Sequence, residues 1–220
     1  SAPETLLSKS RTVTPPESSV VLLRTLLANS SEKVTIIQVG FSTNLAALLV
    51  SEPDRVSPLP GADLIRDKVA LVSVMAGNFA AGPPEYNVKL DIPSAREVFE
   101  HWPTPIVFSG FEIGRDLLYP SRNIDRDFTY VAWHPIAFSH RAYHTMPYDR
   151  PTWDLTAALQ AIRPDRSYFA LSEKGRVRVS EDGMTTFEAG SGDRQYVRLE
   201  SAKRAEILEA LTLLASEPPR

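Results

Sequence analysis

Three short apolar runs constrain the fold of this chain most strongly, because they are nearly continuous rather than alternating with polar residues. They occupy residues 34–39, 69–74 and 105–108. Runs of this length, rich in β-branched residues, are typical of strands in a parallel sheet that is covered on both faces. Glycine or polar residues end each run, and a helical pattern restarts after the first at residue 43. The sequence therefore predicts an α/β domain with a mainly parallel, open sheet flanked by helices.

The rest of the chain contains the helical patterns, and near its end the spacing of apolar residues changes from helical to alternating. Helical patterns are predicted at residues 15–29, 43–49, 93–99, 128–144 with an interruption at Pro135, 153–163 and 202–215. From residue 168 the pattern alternates, with turn residues at 174–175, 182–183 and 190–192, which predicts a C-terminal antiparallel meander. The last helix is expected to cover a sheet edge. Because we find no linker and no repeat, residues 1–220 are predicted to form one domain, with residues 1–16 as a tail or loop.

Composition excludes several classes of protein. With 220 residues, 43% of them hydrophobic, the chain is long enough to bury a core. The net charge of -3, without a basic stripe, argues against a nucleic-acid partner, and no apolar run is long enough to span a membrane. The absence of cysteine excludes disulfides and thiolate metal sites. We expect a soluble protein with a small ligand, cytoplasmic or exported, since a removed signal would leave no trace.

A tryptophan and an aspartate begin the helical pattern at residue 153. Free backbone N–H groups and the helix dipole favour a negative charge there, so Asp154 is expected to stay ionised and to point out of the helix mouth. The alternative is that Asp154 only stabilises its helix, with Trp153 as a core anchor. Ligand groups in open α/β sheets gather at the carboxyl ends of strands, and polar residues follow the first two runs at Thr43 and Asn78.

Four motifs, in order, carry a resemblance to a known family. Residues 40–46, Gly-Phe-Ser-Thr-Asn-Leu-Ala, resemble the Gly-x-Leu-Thr-Asn-x-Ala turn of the inosine/uridine-preferring nucleoside hydrolases. Residues 75–78 are similar to that family's Met-Gly-Gly strand end, and residues 85–87 with Asp91 to its Glu-Phe-Asn segment. Trp153-Asp154 resembles the family's closing motif, which is His-Asp in many members and Trp-Asp in a purine-preferring subgroup. The resemblance covers most of the chain.

The resemblance implies a calcium-dependent hydrolase that splits a ribonucleoside into free base and ribose. The main-chain carbonyl of Thr43 and the carboxylate of Asp154 would be calcium ligands, both hard oxygen donors. Glu85 and Asn87 would hydrogen-bond the ribose hydroxyls, with Asn78 as a further candidate. The alternatives are an Asn78 that only caps a turn and a Glu85 that is only solvated.

Trp153 stands where many members of the family have a histidine that serves as general acid. An indole cannot donate a titrating proton, so Trp153 would instead stack on a purine base and favour its protonation. Asp154 and Trp153 are therefore the candidate catalytic residues, with Trp153 also binding substrate. The alternative is an apolar filler at an inactive site.

One departure from the family concerns its first strand, which ends in an Asp-x-Asp…Asp-Asp cluster that no segment of this chain matches. We therefore expect either a separate N-terminal segment that completes the site, this chain being the C-terminal two thirds of a larger fold, or a homo-oligomer. With Asp154 as the only matched carboxylate, calcium binding is expected to be weak. The second functional hypothesis is a non-catalytic protein of the same fold that binds a sugar or nucleoside, or acts in assembly.

Overall fold

A mainly parallel sheet organises residues 18–218, which are the residues that the computed structural model describes. The predicted tail at residues 1–16 and the Pro15–Pro16 start of the first helix lie outside this range. The helices are α1 (Ser19–Asn29), α2 (Thr43–Leu49), α3 (Gly61–Lys68), α4 (Tyr86–Leu90), α5 (Ile92–His101), α6 (Phe111–Asp116), α7 (Ser121–Arg126), α8 (Pro135–Tyr143), α9 (Trp153–Ile162) and α10 (Arg204–Ser216). The strands are β1 (Val34–Gln38), β2 (Val69–Met75), β3 (Ile106–Ser109), β4 (Leu118–Tyr119), β5 (Arg150–Pro151), β6 (Ala170–Leu171), β7 (Gly175–Val179), β8 (Thr185–Ala189) and β9 (Arg194–Arg198).

The predicted parallel sheet is confirmed. Its strand order is β1-β2-β3-β9-β7-β8, and β6 adds to β9. Strands β1, β2, β3 and β9 run parallel, with Val72 opposite Ile106 and Phe108 opposite Tyr196. Strands β7 and β8 form an antiparallel hairpin, and β4 pairs with β5 apart from the main sheet. The carboxyl ends of β1, β2 and β3 therefore meet at one edge of the sheet.

Helices cover both faces of this sheet, as the continuous apolar runs require. On one face, helices α2, α3 and α5 bury Leu48, Leu64 and Phe99 against the strands. On the other face, α9 and α10 bury Leu159 and Ile207. This two-sided burial fixes the strand ends relative to the helices that follow them. Within residues 18–218, no helix has the length and apolar character needed to cross a membrane.

The C-terminal strands depart from the predicted meander. Strand β9 does not follow β8 in the sheet but lies between β3 and β7, parallel to β3. The buried guanidinium of Arg194, at the start of β9, donates to the carbonyls of Phe99 at 2.9 Å and Trp102 at 2.6 Å. These bonds tie β9 to the end of α5. The alternation of apolar and polar residues in the sequence does not reveal these long-range hydrogen bonds of Arg194.

Two predicted helices also differ from the observed ones. Residues 128–134 form turns, and α8 begins only at Pro135, where the ring of His134 accepts from the Ile136 N–H. A proline in the first turn costs no backbone hydrogen bond, so it starts the helix instead of interrupting it. The last helix, α10, packs Ile207 and Leu211 on a sheet face instead of covering an edge.

Strand β1, whose apolar run predicts a strand covered on both faces, lies at the sheet edge and is partly exposed. Only β2 pairs with β1 within residues 18–218, and Ile37 is 39% exposed. An open groove of about 640 Å³ runs beside β1, with Leu22 of α1 and Phe41 among its lining residues. Within the described part of the chain, an apolar strand edge is thus accessible.

Candidate functional site

Helix α9 brings Trp153 and Asp154 to the edge where the parallel strands end. The Ser73 hydroxyl of β2 donates to the Ala157 carbonyl at 2.8 Å, and the hydroxyls of Ser109 and Thr156 hydrogen-bond at 2.5 Å. These buried contacts join the middle of α9 to β2 and β3. The first turn of α9 consequently lies beside the residues that follow those strands.

Glu85 is buried, with 4% of its surface exposed, and caps the N-terminus of α4. Its carboxylate accepts from the N–H groups of Asn87 at 2.9 Å, Val88 at 3.2 Å and Gly77 at 3.3 Å. Burial raises the pKa of Glu85, these donors oppose the rise, and the negative charge of Asp154 adds to it. The interpretation of Glu85 as a solvated residue is therefore wrong. The negative charge of Asp154 acts on the Glu85 carboxyl group.

Asp154 is the second residue of α9 and remains accessible to solvent. Desolvation by neighbouring atoms raises the pKa of Asp154, whereas the positive charge of Arg150 lowers it. The raised pKa shows that desolvation outweighs Arg150.

Trp153 is held against α6 by three contacts. Its ring stacks on Phe111, with 5.6 Å between centroids, and its indole N–H donates to the Phe111 carbonyl at 3.1 Å. A Cβ at Gly114 would lie 2.3 Å from the Trp153 backbone, so only glycine allows this close approach. The side chain of Trp153 is therefore anchored at one face and partly exposed elsewhere.

Thr43 and Asn87 contact neighbouring helix and strand ends. The Thr43 hydroxyl donates to the carboxylate of Asp91, which also accepts from the Ser94 N–H at 3.3 Å. The Asn87 amide donates to the Met75 carbonyl at 3.3 Å. The structure thus brings Asn87 together with Glu85, whereas the contact made by the Thr43 side chain is with Asp91.

Asn78 is engaged in its own loop. Its side-chain amide donates to the Pro83 carbonyl at 3.1 Å, and its side-chain oxygen accepts from the Ala80 N–H at 3.2 Å. Its main chain exchanges two hydrogen bonds with the Thr185 hydroxyl. This geometry favours a loop-capping Asn78 over one whose side chain is available to substrate.

A cavity of about 310 Å³ opens beside the first turn of α9. Trp153 and Asp154 line it together with Arg150, Tyr119 and His140. Apolar side chains from α7 and α8 form much of the remaining wall. Sequence reasoning did not select Arg150 or Tyr119, because the short β4–β5 pair that presents them has no periodicity to detect.

A calcium ion takes six to eight oxygen ligands, and its affinity rises with their charge. Within residues 18–218, no group of three or more acidic or histidine side chains could hold a metal ion. The carbonyl of Thr43 and the carboxylate of Asp154 are therefore too few donors to fit calcium by themselves.

Comparison with known proteins gives a consistent result at the level of family and fold. The profile of a family described as inosine-uridine preferring nucleoside hydrolase matches residues 3–212. A pyrimidine-specific ribonucleoside hydrolase RihA from Salmonella typhi is 29% identical over 112 residues, which are 49% of this chain and 32% of that protein. The RihA of Klebsiella pneumoniae is 29% identical over 99 residues, or 43% of this chain and 28% of its own length. The matched part spans about a third of these curated relatives or less.

Solved structures agree on the fold. An inosine-guanosine nucleoside hydrolase superposes with a TM-score of 0.68 at 16% identity, covering 94% of this chain and 70% of that one. An inosine-uridine preferring nucleoside hydrolase from Bacillus anthracis gives 0.66 at 18% identity, covering 96% and 71%. At such identities the similarity concerns the arrangement of helices and strands.

Proposed function

Because this chain belongs to the inosine-uridine preferring nucleoside hydrolase family, we propose that it hydrolyses the N-glycosidic bond of ribonucleosides to free base and ribose. The observation that carries the proposal is the buried carboxylate of Glu85, whose pKa is raised by burial and, to a smaller extent, by the negative charge of Asp154. The two residues come from segments far apart in the sequence, and the charge of Asp154 acts on Glu85. Two desolvated acids beside an aromatic side chain suit a reaction that develops positive charge on a sugar.

The ribose end of the site is assigned to Glu85 and Asn87. An ionised carboxylate offers about four acceptor positions, and three backbone N–H groups occupy part of this capacity in Glu85. A ribose hydroxyl would donate to the remaining position. Cleavage spreads positive charge over the ring, so a fixed negative group nearby stabilises the transition state more than the ground state.

The base end of the site is assigned to Trp153. Phe111 supports one side of the indole, so the ring is ordered before a ligand arrives and loses little freedom on binding. A planar base in the adjoining cavity would stack on the accessible part of the indole. We propose a purine, because its larger ring system offers more area for stacking. The named relatives include both pyrimidine-specific and inosine-guanosine enzymes.

Catalysis in this family is metal-dependent, and we propose calcium as the metal because Thr43 and Asp154 offer hard oxygen donors. Since these two donors do not complete a site, no step is assigned to the metal. What Asp154 supplies by itself is a negative charge at the mouth of α9, next to the proposed ribose position.

A ribose-release assay with inosine and uridine tests the proposal. The 220-residue chain is expected to release ribose, and Asp154→Ala is expected to abolish the release. Asp165→Ala is the matched control, since Asp165 is exposed just beyond α9. Nucleoside binding without ribose release would overturn the proposal and support a non-catalytic nucleoside-binding protein of the same fold.

A further inference from the structure

The cavity beside Trp153 is lined by a cation, Arg150, whose hydrogen-bond donors meet no protein acceptor in the described part of the chain. Arg150 is half-buried, and its guanidinium lies 4.0 Å from the centroid of the Tyr143 ring. Within residues 18–218 the Arg150 side chain makes no hydrogen bond and no ion pair at salt-bridge distance. A guanidinium carries five N–H donors and no acceptor, so Arg150 offers only donors to a ligand in the cavity.

The position of Arg150 is fixed by the β4–β5 pair. Arg150 lies directly opposite Tyr119 in that antiparallel pair, so both side chains are on the same face. Both residues line the cavity with Trp153 and Asp154. The buried Tyr119 hydroxyl also has no hydrogen-bond partner in the described part of the chain. Two neighbouring polar side chains that line the cavity therefore have hydrogen-bonding capacity that the described part of the chain does not use.

We propose that Arg150 is a specificity-determining residue that donates to a carbonyl oxygen of the nucleobase. The inference rests on the proposed function and adds a base preference to it. A base with a carbonyl at the recognised edge accepts a hydrogen bond from a guanidinium. An amino group at the same position instead places its own N–H donors against the N–H donors of Arg150. Arg150 thus favours hypoxanthine over adenine, and uracil over cytosine.

The surroundings of Arg150 favour a neutral acceptor over a phosphate group. Asp154 lies close enough to Arg150 for the two charges to interact, so the negative carboxylate already offsets the guanidinium. A phosphate dianion at this place would be repelled by Asp154. Ligand pockets with mostly apolar walls and a few polar groups suit a planar heterocycle, which matches the cavity composition.

The test is the ratio of kcat/KM values for substrate pairs that differ at one group: inosine over adenosine and uridine over cytidine. Arg150→Met keeps the length of the side chain and removes its donors. We expect both ratios to fall about tenfold or more in this variant. Arg141→Met is the matched control, because Arg141 lies on α8 and pairs with Asp125 instead, and its ratios should stay at the wild-type values.

A change in ratio separates recognition from a general loss of folded protein, which would lower both members of a pair alike. Unchanged ratios in Arg150→Met would overturn the proposal, as would a larger loss with inosine 5′-monophosphate than with inosine. If the wild-type chain released ribose from no nucleoside, the proposed function would fail. Calorimetry with free hypoxanthine and adenine would then test Arg150 alone: wild type should bind hypoxanthine more tightly and Arg150→Met should bind both equally, whereas equal binding by wild type would overturn the inference.

Discussion

The indole N–H of Trp153 donates to the main-chain carbonyl of Phe111 at 3.1 Å, while the two rings stack with 26° between their planes. This contact joins the first residue of α9 to the first residue of α6, which follows strand β3 directly. The aromatic surface beside Asp154 is therefore fixed relative to the end of the sheet. A side chain held in this way can order a planar ligand at little entropic cost.

Loss of Trp153 is expected to impair turnover less than loss of Asp154. Trp153→Ala should lower kcat/KM for inosine, because the free energy of base stacking is lost. By analogy with other base–aromatic contacts, this loss is about 1–3 kcal/mol. Asp154→Ala should remove activity more completely, because it deletes a charged group next to the reacting sugar. A ribose-release assay on both variants gives the order. Full activity of Trp153→Ala beside an inactive His140→Ala would place leaving-group activation on His140.

Substitution of Gly114 should disturb both stability and the site. In Gly114→Ala the new Cβ would lie 2.3 Å from the Trp153 backbone, so α6 and α9 must separate. Overpacking of this kind costs about 1–3 kcal/mol, which exceeds the helix-propensity gain of about 1 kcal/mol from alanine. Urea unfolding measures the change. Gly40→Ala is the control, because nothing lies within 4 Å of its Cβ; equal stability of the two variants would contradict the expected clash.

Calcium is expected to bind the 220-residue chain weakly. Asp154 is the only carboxylate at a position that matches a ligand of the family, and one carboxylate with one carbonyl supports a dissociation constant of about 10⁻⁴ M or weaker. Isothermal titration of wild type and Asp154→Ala tests this, and the variant should show no heat of binding. Sub-micromolar affinity of the wild-type chain would reveal ligands beyond Thr43 and Asp154.

The raised pKa of Asp154 predicts how stability changes with pH. Its pKa lies above the ordinary 3.8 because desolvation disfavours the charged form, so the folded state holds this proton more tightly than the unfolded state. The stabilisation is present at low pH and is lost as the pH rises through the pKa of the folded protein. Compared with Asp154→Asn, the wild type should therefore lose unfolding free energy as the pH rises above the ordinary value of 3.8 and through the raised pKa. A constant difference would show that the pKa is not raised.

The open edge of β1 is expected to drive association. Unpaired N–H and C=O groups beside apolar side chains form a template for another strand. We propose a second copy or another segment of the same protein as the partner. Sedimentation at increasing concentration should show assemblies, and Ile37→Lys should weaken them. Val50→Lys is the control, since Val50 is exposed but lies off the strand. A wild-type monomer at high concentration would contradict this prediction.

The sequence alone determined the elements whose signal is local. The apolar runs located β1, β2 and β3. Strands β2 and β3 are largely buried, as uninterrupted apolar side chains predict, whereas the residues of β1 alternate in exposure. The helical pattern at residues 43–49 coincides with α2, and the first turn of α9 begins at Trp153 as predicted. The motifs and their order also indicated the family, because a strand end, a turn and the start of a helix each have a short, recognisable pattern of residues.

The tertiary structure decided everything that depends on distant segments. Strand β9 enters the sheet next to β3 because Arg194 reaches the carbonyls at the end of α5, and the sequence around Arg194 does not encode those partners. The charge of Asp154 acts on the buried Glu85 because β2 and α9 pack together. Arg150 joins the cavity because it pairs with Tyr119 across two very short strands. Local periodicity reports which face of an element is buried, whereas the neighbours of that face are set by how the whole chain packs.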